Sequence, residues 1–131
     1  MIKSEQQKNR TLKIIEELKE KKNKSSNIAI GSIDSLIGQL ESEIKEYESL
    51  KRGEFTLPKN ISFVELIKNI AKIRISQGLS QKDLADMLGM TKQQINRYEE
   101  HDYQNVSLVK ISEIITILGL TVSFEKKENA A

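Results

Sequence analysis

Residues 80–99 read SQKDLADMLGMTKQQINRYE, and the spacing within them predicts two short helices joined by a sharp turn. Ser80 is typical of a helix N-cap, and Gly89 supplies the left-handed backbone that ends the first helix. Thr91, followed three residues later by a glutamine, gives the capping-box pattern that opens the second helix. Small Ala85 lets the two helix backbones approach closely. The stretch therefore predicts a pair of crossing helices with a fixed geometry.

The second of these helices separates an apolar face from a polar one. Helical spacing turns Ile95 and Tyr98 toward the core. The outward residues are all polar or basic: Lys92, Gln93, Asn96 and Arg97. Polar cover of a solvated helix face is the ordinary interpretation of such a set, so a functional interpretation needs support from the wider pattern.

The flanking sequence extends this pair into a larger helical unit. Ser62 and Glu65 form a second capping-box pattern, which opens a helix that we expect to end at Gly78. Ser107 is predicted to cap a last helix, and residues 120–125 alternate like an edge strand. The apolar residues expected in the core of this unit are Phe63, Leu66, Ile67, Ile70, Ala71, Leu84, Ala85, Leu88, Ile95, Leu108, Ile111, Ile114 or Ile115, and Leu118.

Residues 1–57, ahead of a linker around the only proline, Pro58, predict an antiparallel helical hairpin. Residues 4–24 carry a narrow apolar stripe, residues 24–29 interrupt it, and Ser32 is predicted to cap a second helix. Fewer than about 60 residues give only a marginal core, so we expect the hairpin to need a partner surface. The residues expected at that interface are Leu36, Leu40, Ile44 and Tyr47.

Composition limits the chemistry that the chain can perform. Its 131 residues contain no cysteine, which excludes disulfides, thiolate metal sites and a cysteine nucleophile. The sequence has no Gly-rich phosphate loop and no His-Glu-x-x-His motif, and His101 has no second metal ligand at matching spacing. Its apolar runs are too short to span a membrane. We therefore expect a cytoplasmic protein that is not an enzyme, has no cofactor or metal and does not bind membranes.

Charge gives no help in choosing a partner, because 21 basic residues nearly balance 19 acidic ones. A strongly basic balance would have indicated nucleic acid. Any such inference must therefore rest on where particular side chains point.

The motif as a whole resembles the Cro/phage-repressor helix-turn-helix family. The resemblance covers roughly residues 63–124 and rests on Arg74, Gly78-Leu79-Ser80-Gln81, Leu84-Ala85, Leu88-Gly89 and Ile95-x-x-Tyr98-Glu99. It implies an all-α fold: a five-helix, lambda-repressor-like DNA-binding domain with the N-terminal hairpin and a short C-terminal strand. We accordingly divide the chain into a hairpin for dimerisation or partner binding (1–57), a DNA-binding domain (58–125) and a flexible tail (126–131).

The resemblance also implies a role for each polar residue of the motif. The helix that Thr91 opens becomes the recognition helix, whose first turn enters the major groove. Lys92 and Gln93 are expected to reach base edges, because lysine can donate to guanine and glutamine can both donate to and accept from adenine. Further contacts, to bases or phosphates, are implied for Asn96 and Arg97, and the expected phosphate contacts are Gln81 and Lys82. Thr91, at the start of the recognition helix, completes the predicted set of DNA-binding residues.

Other family positions have structural roles by the same resemblance. Arg74 and Glu99 are expected to form a partly buried ion pair, and the positions that fix the two crossing helices are Ala85, Gly89 and Ile95. The sequence departs from the family after the recognition helix. Many relatives have a glycine there, whereas this chain has the longer, more acidic loop 100–104.

These expectations combine into a repressor that reads a double-stranded DNA operator. Two-fold operators imply a homodimer, formed by the hairpin, which we favour, or by residues 120–124 pairing edge to edge. Residues 43–50 ahead of the domain resemble small regulators grouped with HigA-type antitoxins, which would add a toxin protein as partner. The alternative is a protein-interaction module of bridging-coactivator type that uses the same fold.

Overall fold

The structure, a computed structural model, describes residues 1–24 and 27–128, with residues 27–29 described by their backbone alone. Seven α-helices lie within these residues: α1 (Glu5–Lys24), α2 (Asn27–Lys51), α3 (Phe63–Lys68), α4 (Ile70–Ser76), α5 (Gln81–Leu88), α6 (Lys92–Glu100) and α7 (Leu108–Ile117). In the described ranges, no helix has the length and apolar character needed to cross a membrane. Part of the predicted break at 24–29 and the end of the predicted tail, 129–131, fall outside the described residues.

Helices α1 and α2 form an antiparallel hairpin. Ion pairs run from one helix to the other along its length, and Lys22 Nζ lies 2.6 Å from Asp34 Oδ1 near the turn. At the opposite end Lys51 pairs with Glu5. Ser32 does not cap α2, which begins at Asn27. A cap preference of about 1 kcal/mol is small beside the packing of a longer helix against α1.

Helices α3 to α7 surround an apolar core. Its fully buried members include Ile70, Leu84, Ile95 and Ile114, each with 0% of its surface exposed. Leu108 was expected in this core, but 67% of its surface is exposed in the first turn of α7. The turn of α7 that contacts the core therefore begins one helical turn later than predicted.

Two further predictions for this domain need correction. The single helix expected from Ser62 to Gly78 divides into α3 and α4 at Asn69, whose side chain donates to Glu65 O at 2.7 Å. Residues 120–128 form neither helix nor strand in the described part of the chain. A strand needs a neighbouring strand for its hydrogen bonds, and the other elements described are helical. The five-helix, lambda-repressor-like arrangement stays a prediction.

The base of the hairpin packs against α4. Ile2, Tyr47, Leu50 and Ile75 form a second apolar cluster there, and Ile44 packs beside it. Tyr47 is therefore buried inside the chain, with 5% of its surface exposed, and is not free for a partner as predicted. Part of the partner surface that the hairpin was expected to need is therefore supplied by α4 of the same chain.

Candidate nucleic-acid interface

The turn between α5 and α6 is fixed by two reciprocal caps and one left-handed residue. Ser80 Oγ accepts from Asp83 N at 3.0 Å, and Ser80 N donates to Asp83 Oδ2 at 2.9 Å. The hydrogen bond from the backbone of Ser80 to the carboxylate holds the pKa of Asp83 below its usual value. Gly89 ends α5 at φ 66° and ψ 31°, a conformation that favours glycine. The turn therefore fixes the angle between α5 and α6.

Helix α6 begins with the second cap. Thr91 Oγ1 accepts from Gln94 N at 3.2 Å, and Thr91 N donates to Gln94 Oε1 at 2.9 Å. Both residues are exposed. The first turn of α6 is therefore ordered while its outer face stays open.

The side chains predicted to contact DNA lie on that outer face. Lys92, Gln93 and Arg97 are exposed, and no hydrogen bond or ion pair joins their side chains to any other described residue. Asn96 is half-buried: its Oδ1 accepts from Gln81 Nε2 at 3.4 Å and its Nδ2 donates to Glu100 Oε1 at 3.3 Å. Three of the four outward residues are thus free to meet a ligand, and Asn96 is held by its neighbours.

A buried polar network lies beneath this face. Arg74 donates from Nε to Glu99 Oε2 and from Nη2 to Glu99 Oε1, both at 2.8 Å. The two side chains are 2% and 0% exposed, so the predicted partners meet as a fully buried, two-pronged ion pair. Tyr103 Oη adds a third donor, at 2.8 Å from Glu99 Oε2. Among the described residues, no buried side-chain nitrogen or oxygen lacks a partner.

The structure places Gln81 differently from its predicted role as a phosphate anchor. Its side chain is 3% exposed, and its amide nitrogen donates to Glu99 Oε1 at 2.9 Å and to Asn96. Both amide protons are therefore used inside the protein, and none remains for a phosphate. Lys82 stays on the surface in an exposed pair with Asp86 at 3.0 Å, which raises the pKa of the lysine. Because the pair is exposed, a DNA phosphate can take the place of Asp86 beside Lys82.

The structural positions of the motif lie inside the domain. Ala85 and Ile95 are buried at 1% and 0% exposure where α5 crosses α6.

His101, the only histidine, caps the C-terminus of α6 on the surface. The described residues contain no group of His, Cys, Asp or Glu that would hold a metal ion.

One participant, the N-terminal segment, was not predicted from the sequence. Lys3 O accepts from Arg74 Nη2 at 2.7 Å, and Lys3 Nζ donates to Glu99 O and to Asp102 Oδ1. Neighbouring Ile2 is buried in the hairpin junction. Contacts between residues almost a hundred positions apart leave no periodic pattern in a single sequence, so only the structure reveals them.

Comparison with known proteins identifies the part of the chain that carries this face. Residues 70–124 match the family model described as helix-turn-helix, a match that begins in α4 and ends after α7. No curated protein and no solved structure was found to match the chain. The matched segment includes the buried ion pair, both caps and the whole of α6. Residues 70–124 of this chain therefore match the Cro/C1-type helix-turn-helix family, whose members are DNA-binding transcription regulators.

Proposed function

We propose that the chain is a sequence-specific repressor that reads operator DNA with helix α6. The observation that carries the proposal is the contrast between the two faces of this helix. The outer face presents Lys92, Gln93 and Arg97 without partners in the described structure, while the inner face is fixed by Ile95 and the Glu99 network. Side chains on a rigid helix lose little further freedom on binding, which favours a precise contact.

Each of the three free side chains suits a different part of a DNA duplex. Gln93 can donate to adenine N7 and accept from the adenine N6 amino group as a paired contact, and Lys92 can donate to guanine. A good base contact of this kind discriminates by about 1–3 kcal/mol. Arg97, one turn further along α6, is suited to a base or a phosphate. Lys82 is the phosphate contact that we retain from the sequence analysis, whereas Gln81 and Asn96 support the helix from behind.

A homodimer is part of the proposal, because one recognition helix offers few base contacts. Two copies would read half-sites about 34–36 Å apart. The distal part of the hairpin is the surface that we propose for the second copy, because Leu36 is 42% exposed there and Leu40 is half-buried. Edge-to-edge pairing through residues 120–124 remains the less favoured alternative, since that segment forms no strand in the described chain.

A narrower version of the proposal makes the chain an autoregulating antitoxin whose hairpin also binds a toxin protein. Its support is the resemblance of residues 43–50 to the regulators grouped with HigA-type antitoxins. Co-expression with the product of a neighbouring small reading frame tests it. We expect a stable complex and relief of growth inhibition, and the antitoxin version fails if neither is seen.

The DNA-binding proposal is tested by selecting bound duplexes from a random pool and measuring affinity for the selected site. The variant is Lys92→Ala/Gln93→Ala/Arg97→Ala. We expect it to lose about 100-fold or more on the selected site, because three contacts of about 1 kcal/mol or more are removed, and to keep weak binding to unrelated DNA.

A matched control is available on the hairpin. Asn9, Arg10 and Lys13 are exposed on α1, outside both α6 and the proposed dimer surface, and supply one amide and the same two basic residue types. Their triple alanine variant should bind like the wild type. If the wild type selects no sequence, or the α6 variant binds as well as the control, the proposal fails and a protein-docking module becomes the better interpretation.

A further inference from the structure

The N-terminal residues lie at the opposite end of α6 from the proposed base contacts. Lys3 Nζ donates to the carbonyl oxygen of Glu99, in the last turn of α6, and lies 3.2 Å from Asp102 Oδ1 in the loop that follows. The lysine side chain is only 12% exposed. A positive charge at this end is favoured, because the free carbonyl groups give a helix C-terminus a partial negative charge.

The backbone of the same residue enters the buried network. Arg74 Nη2 donates to Lys3 O at 2.7 Å and to Glu99 Oε1 at 2.8 Å. A single guanidinium nitrogen therefore connects the N-terminal segment with the carboxylate that fixes α6. Displacing Lys3 would leave one of those buried protons without an acceptor.

The loop after α6 needs external support. Asp102 and Tyr103 have φ angles of 49° and 59°, in the left-handed region that residues with a Cβ adopt at a cost. Backbone hydrogen bonds to α6 and two side-chain contacts hold them there: Asp102 with Lys3, and Tyr103 Oη with Glu99 Oε2. Many members of the family resembled above have a glycine after this helix, and here contacts with the N-terminal segment and the network hold the turn instead.

We propose that Lys3 is a positioning residue for DNA recognition: it holds the C-terminal end of α6 so that Lys92 and Gln93 meet the bases at the correct angle. Ile2 anchors it from the other side, because it is 3% exposed in the cluster that joins the hairpin to α4. The hairpin thereby acts on base recognition without belonging to residues 70–124. The inference rests on the proposed function.

The test compares Lys3→Met with the wild-type full chain, using the DNA site selected by the wild type and an unrelated duplex. Methionine keeps most of the length of the apolar side chain and removes both donated hydrogen bonds. We expect affinity for the selected site to fall about tenfold, within the usual range for coupling between two parts of a protein. Affinity for the unrelated duplex and the dependence on salt should stay unchanged, and Lys3→Arg should recover most of the loss.

Other results would overturn the inference. Equal loss on both duplexes, with the salt dependence reduced by about one phosphate contact, would show that Lys3 touches DNA directly. Equality with Lys13→Met, an exposed lysine of the same helix pair, would show that Lys3 has no role. A wild type that selects no site defeats the proposed function itself, which distinguishes the two failures.

A second variant covers the case in which Lys3→Met does not fold. Asp102→Asn changes a side chain that is 49% exposed, and asparagine tolerates the left-handed backbone. It weakens only the ion pair with Lys3. We expect it to melt like the wild type and to lower the ratio of specific to unrelated affinity about fivefold, at the smaller end of such couplings. An unchanged ratio would contradict the positioning role.

Discussion

The hairpin and the helix-turn-helix domain use the same kinds of charged side chain in opposite environments. In the hairpin, Lys19 and Glu41 pair across α1 and α2 at 3.5 Å with 58% and 47% of their side chains exposed. In the domain, Arg74 and Glu99 pair at 2.8 Å with almost none exposed. Exposed pairs contribute little to stability, whereas a buried pair is costly to break.

The difference shows which contacts determine the geometry of each region. The buried pair has a single geometry, since Tyr103 and Gln81 occupy the remaining acceptor positions of Glu99. The hairpin ion pairs are exposed, and they supplement a few buried contacts such as Ile15 and Ile37. We therefore expect the domain to respond to single substitutions much more strongly than the hairpin.

The largest effect is expected for Arg74→Met. It leaves the Glu99 carboxylate buried with only Tyr103 and Gln81 as donors, and we expect the free energy of unfolding to fall by about 3–5 kcal/mol. Urea denaturation followed by circular dichroism measures the loss. Replacing both partners, as Arg74→Met/Glu99→Leu, should recover part of it, because no charge is then stranded. A loss below about 1 kcal/mol for the single variant would remove the contrast with the hairpin.

The local part of this architecture was predictable from sequence. The caps at Ser80 and Thr91 and the left-handed turn at Gly89 depend on neighbouring residues, and the structure has all three as expected. The family resemblance, which rests on these positions, was confirmed by the match over residues 70–124. Short-range hydrogen bonds leave a signature that a single sequence retains.

The predictions that failed depended on contacts between distant residues. Tyr47 looked like a partner-binding residue because its apolar stripe had no visible partner, and the structure buries it against Ile75. Gln81 was expected to contact a phosphate by resemblance to the family, but its amide nitrogen donates to the buried carboxylate of Glu99. The strand at 120–125 failed because alternation describes one strand and cannot supply its neighbour.

A smaller effect is expected at the junction of the two regions, where Tyr47 Oη donates to Glu5 Oε1 at 3.3 Å. Burial, with the negative charge of Glu5 beside it, raises the pKa of Tyr47 to about 12. The unfolded chain loses this proton near pH 10, so stability from this group is complete below pH 10 and is lost as the pH rises toward 12.

Tyr47→Phe tests this pH dependence. Phenylalanine has no proton to lose, so thermal melting between pH 10 and 12 should fall less steeply for the variant than for the wild type. Tyr103, whose pKa burial also raises, is present in both proteins and cancels in the comparison. Parallel curves would mean that the hairpin base is open to solvent, and the junction would then resemble the exposed parts of the hairpin.

The smallest effect is expected for the exposed pair itself. A double-mutant cycle with Lys19→Met and Glu41→Gln should give a coupling free energy of about 0.5 kcal/mol or less, and the coupling should shrink as salt rises. The same cycle applied to Arg74 and Glu99 is the internal control, because these two side chains also pair a positive with a negative charge but are buried away from solvent. If the Lys19–Glu41 coupling instead exceeds about 1 kcal/mol and resists salt, exposure is not what separates the two regions, and the hairpin would be held by its charges as firmly as the domain is.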